Sequence, residues 1–111
     1  MNHWIPIESK NQLEAVILKS HETPCLIFKH STSCSISQMA KTRLEKASNN
    51  NPKTPEIYYL DLLKHRDISA EIAKKFSVHH ESPQVLLIEK GECIYDASHL
   101  DISLAEVLEH V

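Results

Sequence analysis

The sequence predicts an α/β protein with a mixed central sheet flanked by helices on both faces, in the order βαβαβαββα. Over most of the chain, short apolar runs alternate with segments whose apolar residues recur at helical spacing. The last third instead holds two strand-like runs joined by Lys90–Glu92, which contains Gly91, the only glycine of the protein. Alternating strands and helices indicate parallel crossovers, whereas the short glycine-containing connection indicates an antiparallel hairpin.

Length and composition limit the class of protein. With 111 residues, 41% of them hydrophobic and 24% charged, the chain fits a single globular domain over residues 1–111. A net charge of −3 without a basic stripe does not favour nucleic acid as a partner. No apolar run approaches the roughly 20 residues of a membrane span, and the N-terminus lacks the features of a secretory signal. Since the three cysteines are also odd in number, we expect a cytoplasmic protein with reduced thiols and no membrane partner.

The first elements follow from local signals near the N-terminus. Trp4–Ile7 is a short apolar run that includes Pro6, which has no backbone N–H to donate and therefore suits an edge strand. Ser9 is the expected N-cap of the first helix. That helix should stop near His21, because Thr23 precedes a proline and such residues avoid the helical region.

The second half of the chain predicts the remaining elements. The turn-rich stretch Asn49–Pro55 leads to a strand at Ile57–Asp61. A third helix follows, with Asp67 or Ser69 as its expected N-cap. The last elements are the hairpin strands Gln84–Glu89 and Cys93–Tyr95, and a final helix opened by Asp101.

Cys34 is expected where the second strand is followed by the second helix. The apolar run Cys25–Phe28 comes before it, and the residues after it that share one helical face are Ile36, Met39, Ala40 and Leu44. Free N–H groups and the macrodipole at a helix N-terminus stabilise an anion, so a cysteine there favours its reactive thiolate form. Its hydroxyl-bearing neighbours suit a loop or a cap better than a buried apolar site. We therefore predict that Cys34 is a redox or nucleophilic cysteine.

The other two cysteines fit packing roles. Cys25 lies within an apolar strand, where free cysteine usually behaves as a small buried hydrophobe. Cys93 begins the second hairpin strand and is also expected to pack. Lys29 and His30 precede Cys34, and two interpretations stay open for them: stabilisation of a thiolate, or an exposed strand end.

The element order, with a cysteine at the start of the second helix and Ser82-Pro83 before the hairpin, resembles the thioredoxin fold over essentially the whole chain. In that family the helix begins with Cys-x-x-Cys or Cys-x-x-Ser, and a cis-proline before the hairpin lies against the active cysteine. Cys34-Ser35-Ile36-Ser37 is similar to the single-cysteine version, and Pro83 matches the cis-proline.

Two segments resemble the YtxJ-like monothiol bacilliredoxins more narrowly. They are 29–37, Lys-His-Ser-Thr-Ser-Cys-Ser-Ile-Ser, and 80–84, His-Glu-Ser-Pro-Gln. Members of that family usually carry Thr-Cys-Pro-Ile-Ser, whereas this chain has Ser33 and Ser35 in place of the threonine and the proline.

This resemblance implies a stress-response oxidoreductase that removes bacillithiol, a small cellular thiol, from mixed disulfides on client proteins. The partners would be bacillithiolated clients and the small thiol. Bacillithiol would act as co-substrate, with no bound cofactor and no metal. Cys34 would be the catalytic nucleophile, and the residues that contact substrate would be Ser33, Ser35, Ile36, Ser37, Ser82 and Pro83.

Two alternatives of other classes stay open. One is an iron–sulfur or metal carrier of the monothiol glutaredoxin kind, whose Cys-Gly-Phe-Ser motif differs from this chain at Ser35 and Ile36. Imidazole and thiolate groups could come from Cys34, His30 and the pair His79-His80, although no paired ligand spacing supports such a site. The other alternative is a non-catalytic thioredoxin-like adaptor that binds partners through the groove beside Pro83.

Overall fold

A computed structural model of the chain describes residues 4–111. The elements in this part are β1 (Ile5–Pro6), α1 (Lys10–Lys19), β2 (Cys25–His30), α2 (Ser35–Asn49), β3 (Glu56–Asp61), α3 (Arg66–Phe76), β4 (Gln84–Glu89), β5 (Glu92–Ser98), a 3₁₀ turn (His99–Asp101) and α4 (Leu104–Leu108). The predicted fold class is confirmed, because the order is βαβαβαββα with one added 3₁₀ turn. No helix among these residues is long and apolar enough to cross a membrane.

The five strands form one mixed sheet in the order β1-β3-β2-β4-β5. Both β1 and β2 pair with β3 in parallel, whereas β4 pairs antiparallel with β2 and with β5. Every residue of β2 is buried, as expected of a central strand with both faces covered. The carboxyl end of β2 leads directly to Cys34, so the centre of the sheet sets the position of that residue.

Separate apolar clusters cover the two faces of the sheet. Alternate residues of a strand point to opposite faces, and accordingly Ile27 belongs to one cluster and Phe28 to the other. The residues that α1 and α3 contribute on the Ile27 face are Leu13, Val16, Ile68 and Ile72. Those that α2 and α4 contribute on the Phe28 face are Ala40, Leu44, Leu104 and Val107. Each of these buried Leu, Ile and Val side chains contributes about 1.5–3 kcal/mol, and the helices cover both faces as predicted.

The N-cap of α1 agrees with the sequence prediction, whereas the N-caps of α3 and α4 differ from it. Ser9 caps α1 as predicted, and its hydroxyl accepts a hydrogen bond from the Gln12 N–H. The predicted start of α3 is wrong, because His65 is the N-cap and Asp67 already lies in the first turn. There a carboxylate favours the helix through its dipole without capping it. Asp101 does not open the last helix either; it ends the 3₁₀ turn, and Ser103 is the N-cap of α4.

The predicted hairpin between β4 and β5 is present, and its turn has two residues where the sequence predicted a connection of three, Lys90–Glu92. Lys90 and Gly91 both have positive φ, 53° and 79°, as a type I′ turn requires. The turn is tied to the end of α1, since the Lys90 N–H donates to the Ser20 carbonyl at 2.8 Å and the Gly91 N–H donates to its hydroxyl at 3.0 Å. Strand β5 continues to Ser98, beyond its predicted end.

Candidate active site around Cys34

Cys34 occupies the N-cap position of α2. Its backbone is extended, with φ −110° and ψ 123°, and its thiol makes no capping hydrogen bond. The backbone is fixed on both sides, because its N–H donates to the Ser31 carbonyl at 3.2 Å and its carbonyl accepts from the Gln38 N–H at 3.0 Å. The residue is partly exposed. The sulfur is therefore held at a helix start, where negative charge is favoured, and is not engaged in capping.

Pro83 immediately precedes β4, the strand that lies beside β2. The Ser82–Pro83 peptide bond is cis, as predicted, and Pro83 itself is buried. Its carbonyl accepts a hydrogen bond from the His99 N–H at 2.9 Å. The next residue, Gln84, pairs with Lys29 across the antiparallel ladder. The proline loop therefore lies next to the strand that leads into Cys34.

Ser37, three residues after Cys34, is fully buried. Its Oγ accepts a hydrogen bond from the Ser31 N–H at 3.0 Å and lies 2.6 Å from Nδ1 of His30. Because an N–H can only donate, the hydroxyl accepts from Ser31, which leaves its own hydrogen available for His30. These contacts tie the first turn of α2 to the end of β2. A direct contact of Ser37 with substrate, which the family resemblance implies, would require this turn to open.

His30 is buried on the same face of the sheet as Phe28. Its ring stacks on the Phe28 ring at a centroid distance of 5.8 Å. Burial lowers the pKa of His30, and the Lys41 ammonium lowers it further. A neutral imidazole can accept a hydrogen bond at Nδ1, in agreement with the direction of the bond from Ser37.

Lys29 is also buried, with no exposed side-chain surface, so the interpretation of residues 29 and 30 as an exposed strand end is wrong. The Lys29 Nζ lies 2.9 Å from Nδ1 of His80, and Ser69 Oγ lies 3.3 Å from the same nitrogen. Burial lowers the pKa of Lys29 to about 8, although the Glu81 carboxylate opposes this change. The pKa of His80 is lowered by burial and by the Lys29 charge, so its Nδ1 acts as an acceptor.

This Lys29–His80 pair is absent from the predicted site. One signal for it was present in the sequence, since a lysine directly after a wholly apolar run on a central strand must bury its charge or find a partner. The identity of the partner comes only from the tertiary fold, because His80 is 51 positions away.

The other predicted site residues are the neighbours of Cys34 in the chain and Ser82 of the proline loop. Ser33, Ser35 and Ile36 are exposed, and Ile36 presents 41% of its surface. Ser33 Oγ lies 3.3 Å from the Ser31 hydroxyl. The Ser82 hydroxyl oxygen is buried and has no hydrogen-bond partner within residues 4–111. The residues next to Cys34 in the chain therefore combine exposed hydroxyl groups with the exposed apolar side chain of Ile36.

The two other cysteines are in environments that disfavour the thiolate. Cys25 is completely buried, as predicted, and burial raises its pKa. Cys93 packs against the apolar cluster on the Ile27 face, and burial raises its pKa to about 11. All three cysteines are free. Since the thiolate is the nucleophile in exchange, neither Cys25 nor Cys93 is suited to attack.

No group of three or more histidine, cysteine or acidic side chains is arranged to hold a metal ion in the part of the chain from 4 to 111. The candidate ligands have separate hydrogen-bond partners. His30 bonds to Ser37, and His80 bonds to Lys29. His79 is 90% exposed and lies 3.6 Å from the Glu81 carboxylate.

Comparisons with known proteins agree with this geometry. Residues 5–107 match the family described as Monothiol bacilliredoxin BrxC. A solved structure described as a proposed oxidoreductase with a thioredoxin fold is 34% identical, with a TM-score of 0.82 over 96% of this chain and 91% of that one.

Two thioredoxins show the same fold at lower identity. The protein from Malassezia sympodialis is 20% identical, with a TM-score of 0.78 over 99% of this chain and 92% of its own. The protein from Nicotiana alata is 16% identical, with a TM-score of 0.76 over 98% and 93%.

Proposed function

Because this chain belongs to the monothiol bacilliredoxin family, we propose that it removes bacillithiol from mixed disulfides on client proteins through Cys34. The main support is the position of Cys34 at the start of α2, with no cysteine three residues later. This arrangement suits a nucleophile that forms a mixed disulfide with the small thiol.

The first step is thiol–disulfide exchange at the sulfur of the small thiol. The Cys34 thiolate attacks the bacillithiol sulfur of the client's mixed disulfide, and a new S–S bond forms between Cys34 and bacillithiol. The S–S bond between bacillithiol and the client breaks. The client sulfur leaves as a thiolate and takes a proton from solvent. The client cysteine is thereby reduced and Cys34 is oxidised, with no net change in the number of disulfides.

The second step regenerates the thiol. Another molecule of bacillithiol attacks the bacillithiol sulfur on Cys34, which releases Cys34 as a thiolate and forms bacillithiol disulfide. Ser37 cannot replace that second thiol, because a hydroxyl does not form a disulfide. In this proposal bacillithiol is the co-substrate, no bound cofactor takes part, and the reaction belongs to a reducing compartment such as the cytoplasm.

Client proteins would approach over the exposed apolar side chains near the thiol. Ile36 and Met39, both in the first turns of α2, present 41% and 52% of their surfaces. Apolar groups of this kind can bind the chain around a client cysteine by burying surface. Such contacts select a client by its shape around the disulfide and not by its charge.

Mass spectrometry tests the proposal. A client protein carrying one bacillithiol is mixed with wild type, Cys34→Ser or Cys93→Ser. The intact masses of both proteins are measured, and peptide mapping then locates the modified residue. Wild type and Cys93→Ser should gain one bacillithiol on Cys34 and release an equal amount of client thiol. Cys34→Ser should gain nothing, because the attacking sulfur is gone.

Two results would contradict the assignment in different ways. An internal disulfide that includes Cys25 or Cys93 would show that the protein is not monothiol in its cycle. Rapid transfer from a glutathionylated client together with no transfer from the bacillithiolated one would preserve the exchange step and overturn the choice of small thiol.

A further inference from the structure

A cavity of about 620 Å³ lies beside α3, and the exchange step described above does not use it. Its volume is within the range of small-molecule sites. Apolar side chains from α3 and from the connection before it form most of the wall. The charged or titratable lining residues are Arg66, Lys74 and His80, and no carboxylate lines the cavity within the described part of the chain. The cavity is therefore apolar with a cationic or hydrogen-donating lining.

The two cations of the lining have no acidic partner. Within residues 4–111, neither Arg66 nor Lys74 has a carboxylate at ion-pair distance. The neighbouring Lys75, on the same helix but outside the cavity, pairs with Glu14 at 2.8 Å. Arg66 and Lys74 are exposed at the wall, and cations without an acidic partner favour an anionic ligand because they can donate charge-assisted hydrogen bonds to it.

His80 adds a hydrogen-bond donor to this wall, and the tautomer of its ring is fixed. Its Nδ1 accepts from the buried Lys29 ammonium at 2.9 Å, so the ring hydrogen of the neutral imidazole is on Nε2. Nε2 makes no hydrogen bond within residues 4–111. The Lys29 ammonium has no carboxylate at ion-pair distance in this part of the chain and adds a positive charge behind His80.

The cavity also lies beside the two segments that frame the thiol. Lys29 is on β2, five positions before Cys34, and His80 is three positions before Pro83. Because the Lys29 Nζ lies 2.9 Å from His80 Nδ1, the loop that carries His80 packs against the end of the strand that leads to Cys34. Small cellular thiols that are derived from cysteine commonly carry carboxylates, which are the anions that arginine and imidazole donors bind well.

We propose that this cavity binds a carboxylate of the small thiol that is exchanged at Cys34, with Arg66, Lys74 and Nε2–H of His80 as donors. The inference rests on the proposed function, because it assigns the small-thiol subsite of the same reaction. Lys29 is a positioning residue here: it fixes the His80 tautomer and does not contact the ligand.

Two synthetic disulfides that differ in charge test the subsite. One reporter peptide carries 3-mercaptopropionate, which has a carboxylate, and the other carries 2-mercaptoethanol, which is neutral and nearly the same length. To correct for the intrinsic reactivity of each disulfide, its kcat/KM is divided by the rate constant for its reaction with free cysteine. Wild type should prefer the carboxylate disulfide by about two- to fivefold, which is the effect of one exposed ion pair, and the preference should fall with added salt.

Charge variants localise the effect. Arg66→Gln and Lys74→Gln should each lower the preference by about two- to fivefold without changing the rate for the neutral disulfide. The matched control is Arg43→Gln, the same loss of charge on α2 and outside this cavity, and it should keep the wild-type preference. Equal loss in the control would show a general effect of net charge and would overturn the subsite.

A binding measurement that needs no exchange reaction separates this inference from the function on which it rests. Propionate is titrated into ¹⁵N-labelled Cys34→Ser protein. The amide chemical shifts of residues around Arg66 and His80 should change. They should not change in the double variant that also carries Arg66→Gln. Absence of these shifts together with no carboxylate preference overturns the subsite, even if Cys34 still accepts bacillithiol. Failure of Cys34 to accept any small thiol overturns the proposed function, while the titration still decides the subsite.

Discussion

The hydroxyl of Ser37 lies 2.6 Å from Nδ1 of His30, inside the protein and in the first turn of the helix that Cys34 begins. It also accepts the Ser31 N–H at 3.0 Å, so one side chain satisfies a donor and an acceptor at the end of β2. The position that holds the second thiol of a Cys-x-x-Cys motif is occupied here by a group that holds the start of α2 against the sheet.

Ser37→Ala should destabilise the protein by about 1–3 kcal/mol, because it leaves the buried Ser31 N–H and His30 Nδ1 without partners. Urea unfolding monitored by circular dichroism measures this loss. Ser35→Ala is the matched control, since Ser35 is exposed in the same turn. It should change the free energy of unfolding by less than about 0.5 kcal/mol. Equal effects at both positions would show that Ser37 has no special structural role.

Ser37→Cys should convert the site to a dithiol. The new thiol is three residues after Cys34, and with bacillithiol on Cys34 it can attack that disulfide and release the small thiol. Intact mass should show loss of the bacillithiol adduct and a protein two mass units (about 2 Da) below its reduced form. The control is Ser35→Cys, which places an exposed thiol in the same turn. A stable adduct in Ser37→Cys would mean that the buried residue cannot reach the Cys34 sulfur.

The alternation of strand-like and helical segments was sufficient to predict a mixed sheet with helices on both faces, and to place Cys34 at the start of the second helix. Ile27 and Phe28 belong to opposite faces because adjacent strand residues must point apart, and this is a local property of the sequence. The contacts of Lys29 and the start of α3 depend on distant or competing groups. His80 reaches Lys29 only after the proline loop folds back, and His65 replaces the expected cap Asp67 although its side chain makes no capping bond.

The three cysteines should differ widely in their reaction with iodoacetamide near pH 7.5. Cys34 should be labelled at least as fast as a model peptide thiol. Cys93, with a pKa of about 11, should react roughly 100-fold more slowly than that peptide, because so little of it is thiolate. Cys25 should react only on unfolding. Peptide mapping against time gives the three rates, and Cys34→Ser should lose the fast phase. Fast labelling of Cys93 in the folded protein would contradict this order.

The buried Lys29 should make the protein more stable as the solution becomes alkaline. Its pKa is about 8 in the folded protein, whereas an unfolded lysine has a pKa near 10.4. Between these values the unfolded state binds more protons than the folded state, so the free energy of unfolding rises with pH. Below about pH 8 the ammonium is charged in both states, and the full cost of burying it is present.

Lys29→Met should remove this rise, because methionine keeps most of the apolar stem and cannot be charged. The free energy of unfolding of wild type minus that of Lys29→Met should increase between pH 8 and pH 10.5 by about 2.5 kcal/mol, from the linkage relation. Other groups that titrate there, Cys93 included, cancel in the difference. Lys46→Met, the same change at an exposed position of α2, should keep the wild-type rise. A difference between wild type and Lys29→Met that does not vary with pH would show that Lys29 keeps an ordinary pKa. The ammonium would then have to be solvated or ion-paired in the folded protein, against its burial in the structure.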